Sequence, residues 1–112
     1  MKDLTEKITK FVDDRDWRQF HNPKDTAISL VLEATEYLEH FQWKNPEEIK
    51  NHIENKKEEI GEELADVLYW VLLNAHYLNI DLEKAVEKKL EKNAQKYPIE
   101  KAKGQHTKYT EL

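Results

Sequence analysis

The sequence of 112 residues contains no cysteine and has only 2 glycines and 3 prolines. Without cysteine, a disulfide framework and thiolate chemistry are both excluded. Two glycines are too few for a glycine-rich phosphate-binding loop, and the sequence contains neither a P-loop nor a nucleophile elbow. Any chemistry on phosphate groups must therefore use metal ions, lysines or helix ends.

Long hydrophobic runs are absent as well. No apolar stretch approaches the roughly 18 residues of a membrane span, and the first residues, MKDLTEKITKF, lack the apolar segment of a signal peptide. We therefore expect a cytoplasmic protein without a membrane partner. The net charge of −5 argues against a broad surface for nucleic acid polymers.

Charged residues make up 37% of the chain, which together with the scarcity of glycine and proline is typical of long helices. We predict one all-α domain over residues 1–112, a four-to-five-helix bundle, with residues 98–112 as a polar, extended tail. The predicted helices cover about 3–14, a stretch from 29 to near Trp43, 60–78 and 82–96. Residues 46–56 form either a short polar helix or the lead-in to the next long one, with Asn45 as its N-cap.

Apolar positions recur at steps of three and four in each long helix. We predict that the inward-facing residues are Ala27, Val31, Ala34, Leu38 and Phe41; Ile60, Leu64, Val67, Val71 and Leu78; and Leu82, Val86, Leu90 and Ala94. One small bundle would have difficulty burying several wide stripes of this kind. We therefore predict a homo-oligomer in which helices are shared between chains.

Two pairs of acidic residues border these stripes. Glu33 and Glu36 are three residues apart, and so are Glu63 and Asp66, so each pair lies on one side of its helix. If the two helices pack together, four carboxylates converge, and they stay ionised only with a cation between them. The alternative is that all four are surface acids, because Glu-x-x-Glu occurs elsewhere in this charged chain.

Oxygen-only ligands indicate a hard cation, Mg²⁺ with Mn²⁺ as a possible substitute. A di-iron carboxylate bundle would instead need Glu-x-x-His on two helices. None of the 5 histidines has a glutamate three residues before it, so that chemistry is unlikely from the sequence.

The connector RDWRQFHNPKD, residues 15–25, carries Trp17, Phe20 and His21 without helical periodicity. These rings either cap the end of a bundle or close over a planar ligand such as a nucleobase. In the last helix, Lys89, Asn93 and Tyr97 follow one another at steps of four beside the apolar stripe. They are candidates to line a pocket, although Lys89 would also fit a surface position with its stem on apolar residues.

With both acid pairs identified, the chain resembles the MazG-like all-α nucleoside triphosphate pyrophosphohydrolases, especially the dCTP pyrophosphatase branch. The family signature Glu-x-x-Glu, spacer, Glu-x-x-Asp is matched by Glu33–Glu36 and Glu63–Asp66. Branch-like stretches cover nearly the whole chain: RDWRQFH (15–21), FQWK (41–44), EELADVLYW (62–70), the Lys89 and Asn93 spacing with KYP (96–98), and KYTEL (108–112). Leu32 and Thr35 depart from the family, in which small glycines often flank the first acids, and Trp70 stands where a smaller aromatic is expected.

The resemblance implies Mg²⁺-dependent hydrolysis of a nucleoside triphosphate to the monophosphate and pyrophosphate, with dCTP or modified cytosine nucleotides preferred. It implies a homotetramer, a dimer of dimers. The implied metal ligands are Glu33, Glu36, Glu63 and Asp66, with Glu36 or Glu63 as the partner of the attacking water. The implied substrate-binding residues are Trp17, His21, Trp43, Trp70, Lys89, Asn93 and Tyr97. Two alternatives stay open: a non-catalytic helical module that binds nucleotides or a partner protein, and a purely structural oligomer.

Overall fold

The computed structural model describes residues 1–111, so Leu112, the last residue of the KYTEL stretch, lies outside the described residues. Five helices occur in order: α1 Lys2–Asp14, α2 Pro23–Glu39, α3 Pro46–Tyr77, α4 Leu82–Lys96 and the one-turn α5 Ile99–Ala102. Two 3-10 turns occupy Arg18–Phe20 and Tyr109–Glu111. Residues 1–111 contain no strand, and the predicted all-α class is confirmed. Within that range, none of the helices combines the length and apolarity needed to cross a bilayer.

The helix starts follow the capping residues. The side chain of Asn45, the predicted N-cap, accepts a hydrogen bond from the Glu48 amide at 2.9 Å. The Glu48 carboxylate accepts one from the Asn45 amide at 3.1 Å, and the two bonds form a capping box. The Asp81 carboxylate accepts from the Lys84 amide at 3.1 Å and caps α4, which begins at the predicted residue 82. These local bonds satisfy amides that have no partner within the helix, so the sequence specifies where each helix begins.

The predicted bounds of the first acid-bearing helix, from 29 to near Trp43, are wrong at both ends, because α2 already begins at Pro23, within the predicted connector 15–25. α2 stops at Glu39, and residues 40–43 form a turn in which Trp43 adopts a positive φ of 69°. A left-handed residue cannot continue a right-handed helix. The segment 46–56 is the first part of α3 rather than a separate short helix. The helix continues from it to Tyr77 across a kink at Lys56 (φ −124°, ψ 25°).

The chain divides into two compact units, Met1–Asn79 and the segment that begins at Ile80. The prediction of one domain over residues 1–112 stays a prediction. In the first unit α3 is the central helix, and both α1 and α2 pack against it. The buried Thr26 hydroxyl lies 3.0 Å from the side-chain oxygen of Asn74, and the Asn74 amide donates to the Thr26 carbonyl at 3.1 Å. This polar tie fixes the start of α2 against the second half of α3.

The face of α2 that lies against α3 differs from the predicted one. Its less exposed positions are Ser29, Leu30, Glu33 and Tyr37, together with the buried Thr26. In the predicted stripe, Val31 and Leu38 are 61% and 59% exposed. The polar Thr26 and Glu33 therefore occupy inward positions, and the more apolar side of the helix is largely exposed within residues 1–111.

In α3, Ile60 is buried as predicted, but Leu64 and Leu78 are about half exposed. The helix instead buries Leu72, Leu73 and Ala75. The core of the first unit therefore lies near the C-terminal end of α3.

The second unit departs from its prediction in two ways. Val86 and Leu90, predicted to face inward, are 51% and 62% exposed. The segment 98–112 is not extended throughout, because α5 and the Tyr109–Glu111 turn are helical. Pro98 explains the first turn, since it ends α4 and then stands as the N-cap residue of α5.

Candidate functional site

The two acid pairs converge. α2 supplies Glu33 and Glu36, α3 supplies Glu63 and Asp66, and one carboxylate oxygen from each lies within 4.8 Å of all the others. This arrangement confirms the predicted convergence. It arises because both pairs have the three-residue spacing that keeps them on one side of a helix, and because the helices pack with those sides facing each other.

Two of the four carboxylates are poorly solvated. One oxygen of Glu33 and one of Glu63 are buried, and neither has a hydrogen-bond partner among residues 1–111. Removal from water raises the pKa of Glu33 from 4.5 to about 7, and the nearby charges of Glu36, Asp66 and Glu63 act in the same direction. Burial likewise raises the pKa of Glu63.

This cluster fits a cation. Buried carboxylate oxygens without partners, surrounded by like charges, are unfavourable in the chain alone. A divalent ion held between the four side chains would satisfy the unpaired oxygens and offset the repulsion. Four carboxylates provide only hard oxygen donors, the kind preferred by Mg²⁺, Ca²⁺ and Mn²⁺.

A groove lies directly beside the acids. It encloses about 410 Å³ and is lined by Lys7, Ile8, Phe11, Asp66, Tyr69 and Trp70. Its volume falls within the range of about 300 to 1,000 Å³ that is usual for small-molecule sites. Asp66 belongs to both the groove and the acid cluster, so a ligand in the groove would lie next to the acids.

Aromatic rings line and extend this groove as a continuous series of edge contacts. The centroid of Trp17 lies 5.8 Å from Phe11, and Tyr69 lies 5.1 Å from Trp70. The ring of His21 lies 5.5 Å from Trp70, and its Nδ1 lies 2.6 Å from the Tyr77 hydroxyl. The structure therefore brings the predicted Trp17, His21 and Trp70 into one aromatic cluster.

The connector that carries Trp17 and His21 is fixed rather than open. The Arg18 guanidinium donates two hydrogen bonds of 3.0 Å to the Asp13 carboxylate at the end of α1. Arg18 begins the 3-10 turn, and Asn22 then caps α2 by accepting from the Asp25 amide at 2.9 Å. These contacts hold the two rings against α1 and α3.

Trp43 is not part of this cluster. It is 92% exposed at the turn between α2 and α3, and it has no aromatic contact within residues 1–111. A bulky residue with a φ of 69° is strained by roughly 1 to 2 kcal/mol. The chain thus holds a large ring in open solvent in an unfavourable backbone conformation.

Lys89, Asn93 and Tyr97 lie in the second unit, at the predicted steps of four on α4 and its C-cap. Lys89 is exposed and Asn93 is half-buried. The ring of Tyr97 packs edge-on to Tyr109 at 5.9 Å. Their role toward a ligand stays a prediction.

Sequence reasoning missed Phe11, Tyr69 and Tyr77 as parts of the site. Phe11 lies within the first predicted helix, where an apolar residue is expected to be buried, yet it is 42% exposed and lines the groove. Tyr69 and Tyr77 are eight residues apart on α3, close to two helical turns, so they flank the same side as Asp66 and Trp70. This spacing relative to Asp66 is the sequence feature that could have indicated that the two tyrosines belong to the site.

Comparison with known proteins identifies the family. A family model described as MazG-like matches residues 28–112, which include both acid pairs. The chain belongs to the MazG-like family. The predicted resemblance to that family is thereby confirmed.

Several relatives of this MazG-like chain have names that describe an activity. It is 37% identical to dCTP pyrophosphatase 1 of Rattus norvegicus, over the whole chain and 67% of the relative. It is 35% identical to dCTP pyrophosphatase 1 of Homo sapiens, with the same coverage. The chain thus spans about two thirds of the length of these relatives.

A solved structure has the same fold. A pyrophosphatase from Archaeoglobus fulgidus superposes with a TM-score of 0.83 at 39% sequence identity, covering 88% of this chain and 92% of that one. Similarity at this level of identity supports relatedness as well as a common fold.

Proposed function

We propose that this MazG-like chain is a nucleoside triphosphate pyrophosphohydrolase that releases the monophosphate and pyrophosphate. The observation that carries the proposal is the convergence of four carboxylates within 4.8 Å next to an aromatic groove. A site for a hard cation beside a surface for a planar ring matches the two ends of a nucleotide. The names of the relatives, dCTP pyrophosphatase 1, support this activity and a preference for dCTP or modified cytosine nucleotides.

Glu33, Glu36, Glu63 and Asp66 would hold the cation, which we propose is Mg²⁺ with Mn²⁺ as a substitute. When bound, the cation offsets the triphosphate charge and polarises the phosphate oxygens. The four acids alone would repel the substrate, so they serve to orient the cation rather than the nucleotide.

One carboxylate is then needed to position a water molecule and accept its proton. We propose Glu36 or Glu63 for this role, as expected from the sequence. Burial raises the pKa of Glu63, which makes this carboxylate a better proton acceptor than a fully solvated one. Attack of that water at the α-phosphorus breaks the bond to the β-phosphate oxygen and releases pyrophosphate, while the water proton moves to the carboxylate.

We propose that the aromatic cluster binds the base. Rings of the groove, above all Tyr69 and Trp70, offer faces on which a base can stack, and such contacts are worth about 1 to 3 kcal/mol each. His21, hydrogen-bonded to Tyr77, and Trp17 would border the same pocket. Lys89, Asn93 and Tyr97 are proposed to contact the phosphates or the sugar.

We propose that Trp43, which lies outside the aromatic cluster, also contacts the base, as the family resemblance implies, and its substitution tests this role separately from catalysis. We expect Trp43→Gly to leave the fold intact or to raise its stability by up to about 1 kcal/mol, because glycine adopts a φ of 69° without strain. We also expect it to raise KM for dCTP several-fold with a smaller change in kcat. Trp43→Phe is the matched control, since it keeps a ring at the same strained position. Unchanged KM in Trp43→Gly would remove Trp43 from the substrate site.

We further propose that the chain forms a homotetramer, a dimer of dimers. The unpartnered side of α2 supports this proposal, because Ile28, Val31, Leu32 and Leu38 are each about half exposed or more. Lys24, Ala27, Ile28, Val31 and Leu32 border an apolar cleft of about 370 Å³. Light scattering should then give a particle of about four times the 13.4 kDa chain, and a mass of one chain would contradict this proposal.

The activity itself is tested by following pyrophosphate release from a panel of canonical and modified nucleoside triphosphates with Mg²⁺. We expect turnover, highest with cytosine nucleotides, and none after chelation of the metal. Nucleotide-dependent stabilisation without turnover would favour the alternative of a non-catalytic nucleotide-binding module. If the nucleotides cause neither turnover nor stabilisation, the alternatives of a structural or a partner-binding protein are favoured.

A further inference from the structure

A pair of histidines lies in contact outside the acid cluster. His40 is the C-cap residue of α2 and His52 lies in the first part of α3, before the kink at Lys56. The Nδ1 atom of His40 is 2.8 Å from the Nε2 atom of His52, and both side chains are half-buried. Neither residue has a role in the proposed hydrolysis.

We propose that His40 and His52 form a second metal site, which binds one borderline transition-metal ion such as Zn²⁺ through their facing ring nitrogens. Water molecules would complete the coordination. The site would bridge α2 and α3 at the turn that carries Trp43.

The separation of the two nitrogens suits this role. Metal–imidazole bonds of about 2.0 to 2.1 Å, with ligand angles of about 90° to 109°, place two nitrogens roughly 2.8 to 3.4 Å apart. The observed 2.8 Å lies at the lower end of this range. Without metal, one ring nitrogen donates a hydrogen bond to the other, so an ion would replace that proton and both rings would tilt to direct their lone pairs at it.

The surroundings orient the two rings and favour the neutral form of His52. The ring of Phe41 lies 6.3 Å from His40 and 6.5 Å from His52, so it packs against both. Burial lowers the pKa of His52, and the charges of Lys44, His40 and Lys56 act in the same direction while that of Glu59 opposes them. The neutral imidazole is the form that binds metal.

The chemistry of the donors separates this site from the acid cluster. Imidazole nitrogens suit zinc, nickel and copper, whereas carboxylate oxygens suit magnesium and manganese. Saturating Mg²⁺ should therefore occupy the acids and leave the histidine pair free for Zn²⁺.

The test is a titration of the full chain with Zn²⁺ in saturating Mg²⁺. Calorimetry measures the binding, and imidazole ¹⁵N spectra show which of the 5 histidines respond. We expect one equivalent of Zn²⁺ to bind and to shift the signals of His40 and His52, with no shift at the exposed His76 and His106. Binding should be lost in His52→Gln and retained in His106→Gln, the matched control.

The variant Glu63→Gln distinguishes zinc binding at the histidine pair from the proposed hydrolysis activity. Zinc binding to the histidine pair should persist in Glu63→Gln, even if that variant is inactive or if the wild-type chain shows no hydrolysis. The proposal is overturned if Zn²⁺ does not bind saturably to the wild-type chain. It is also overturned if the ¹⁵N signals of His40 and His52 do not move, or if His52→Gln binds Zn²⁺ as the wild type does.

Discussion

Replacing Glu63 by glutamine is expected to lower the rate of pyrophosphate release from dCTP by about 100- to 1,000-fold. The amide keeps the shape of the side chain but loses the charge that holds a divalent cation and the oxygen that accepts a proton. Cation stabilisation of developing charge is worth several kcal/mol, and each 1.36 kcal/mol is a factor of ten in rate. Steady-state assays at saturating Mg²⁺ and substrate measure the effect.

Glu62→Gln is the matched control for this variant. Glu62 precedes Glu63 on α3 and is exposed, and Glu59 and Glu62 have the same Glu-x-x-Glu spacing as the first acid pair. Their side chains are absent from the group of converging carboxylates found within residues 1–111. We expect Glu62→Gln to change the rate by less than about twofold. Equal losses in both variants would point to general electrostatics, and full activity in Glu63→Gln would refute the metal-ligand assignment.

A folding defect can be excluded for Glu63→Gln by its stability. Because burial raises the pKa of Glu63, the charged form is disfavoured in the folded chain. Loss of that charge should leave the melting temperature in chelator unchanged or higher. An inactive variant with a lowered melting temperature would therefore not support the catalytic assignment.

Local sequence signals correctly predicted the starts of α3 and α4 and the acid cluster. The capping box at Asn45 depends on residues three apart, and so does the pairing of Glu63 with Asp66. Interactions of this range are specified by the chain itself, whatever it packs against. Placement beside an apolar stripe distinguished these two pairs from the other Glu-x-x-Glu pairs in the sequence.

The inward face of α2 could not be predicted in the same way. Hydrophobic periodicity favoured the side with Val31 and Leu38, whereas Thr26 and Glu33 face α3. A polar residue can face inward when a specific partner satisfies it, as Asn74 does for Thr26. Periodicity measures apolarity alone, so it identified the more apolar side of α2, which stays exposed in the part of the chain that the structure describes.

The aromatic cluster was only partly predictable for a related reason. Trp17 and His21 stood out because they lie in a connector, where rings are unusual. Phe11 and Tyr69 lie within regular helices, where an aromatic residue is ordinarily part of the core. Only the packing of α1 against α3 places both rings beside Asp66.

Stability and activity should respond to Glu33 in opposite directions. Its pKa is about 7 in the folded chain and near 4.5 when solvated, so between these values only the folded state holds the proton. The free energy of unfolding of the metal-free protein should therefore fall as the pH rises from about 4.5 to about 7. In Glu33→Gln this part of the pH dependence disappears.

At pH 8, metal-free Glu33→Gln should be more stable than the wild type by about 1 to 2 kcal/mol, less than the full pKa shift implies because the cluster is partly open to water. Urea denaturation in chelator across this pH range measures the difference. With Mg²⁺ added, the order should reverse, since only the wild type retains all four ligands and gains stability from binding. At limiting Mg²⁺, the hydrolysis rate of the wild type should fall as the pH is lowered, because protons compete with the cation for Glu33. A variant that is less stable than the wild type in chelator at pH 8 would contradict the repulsion on which the metal assignment depends.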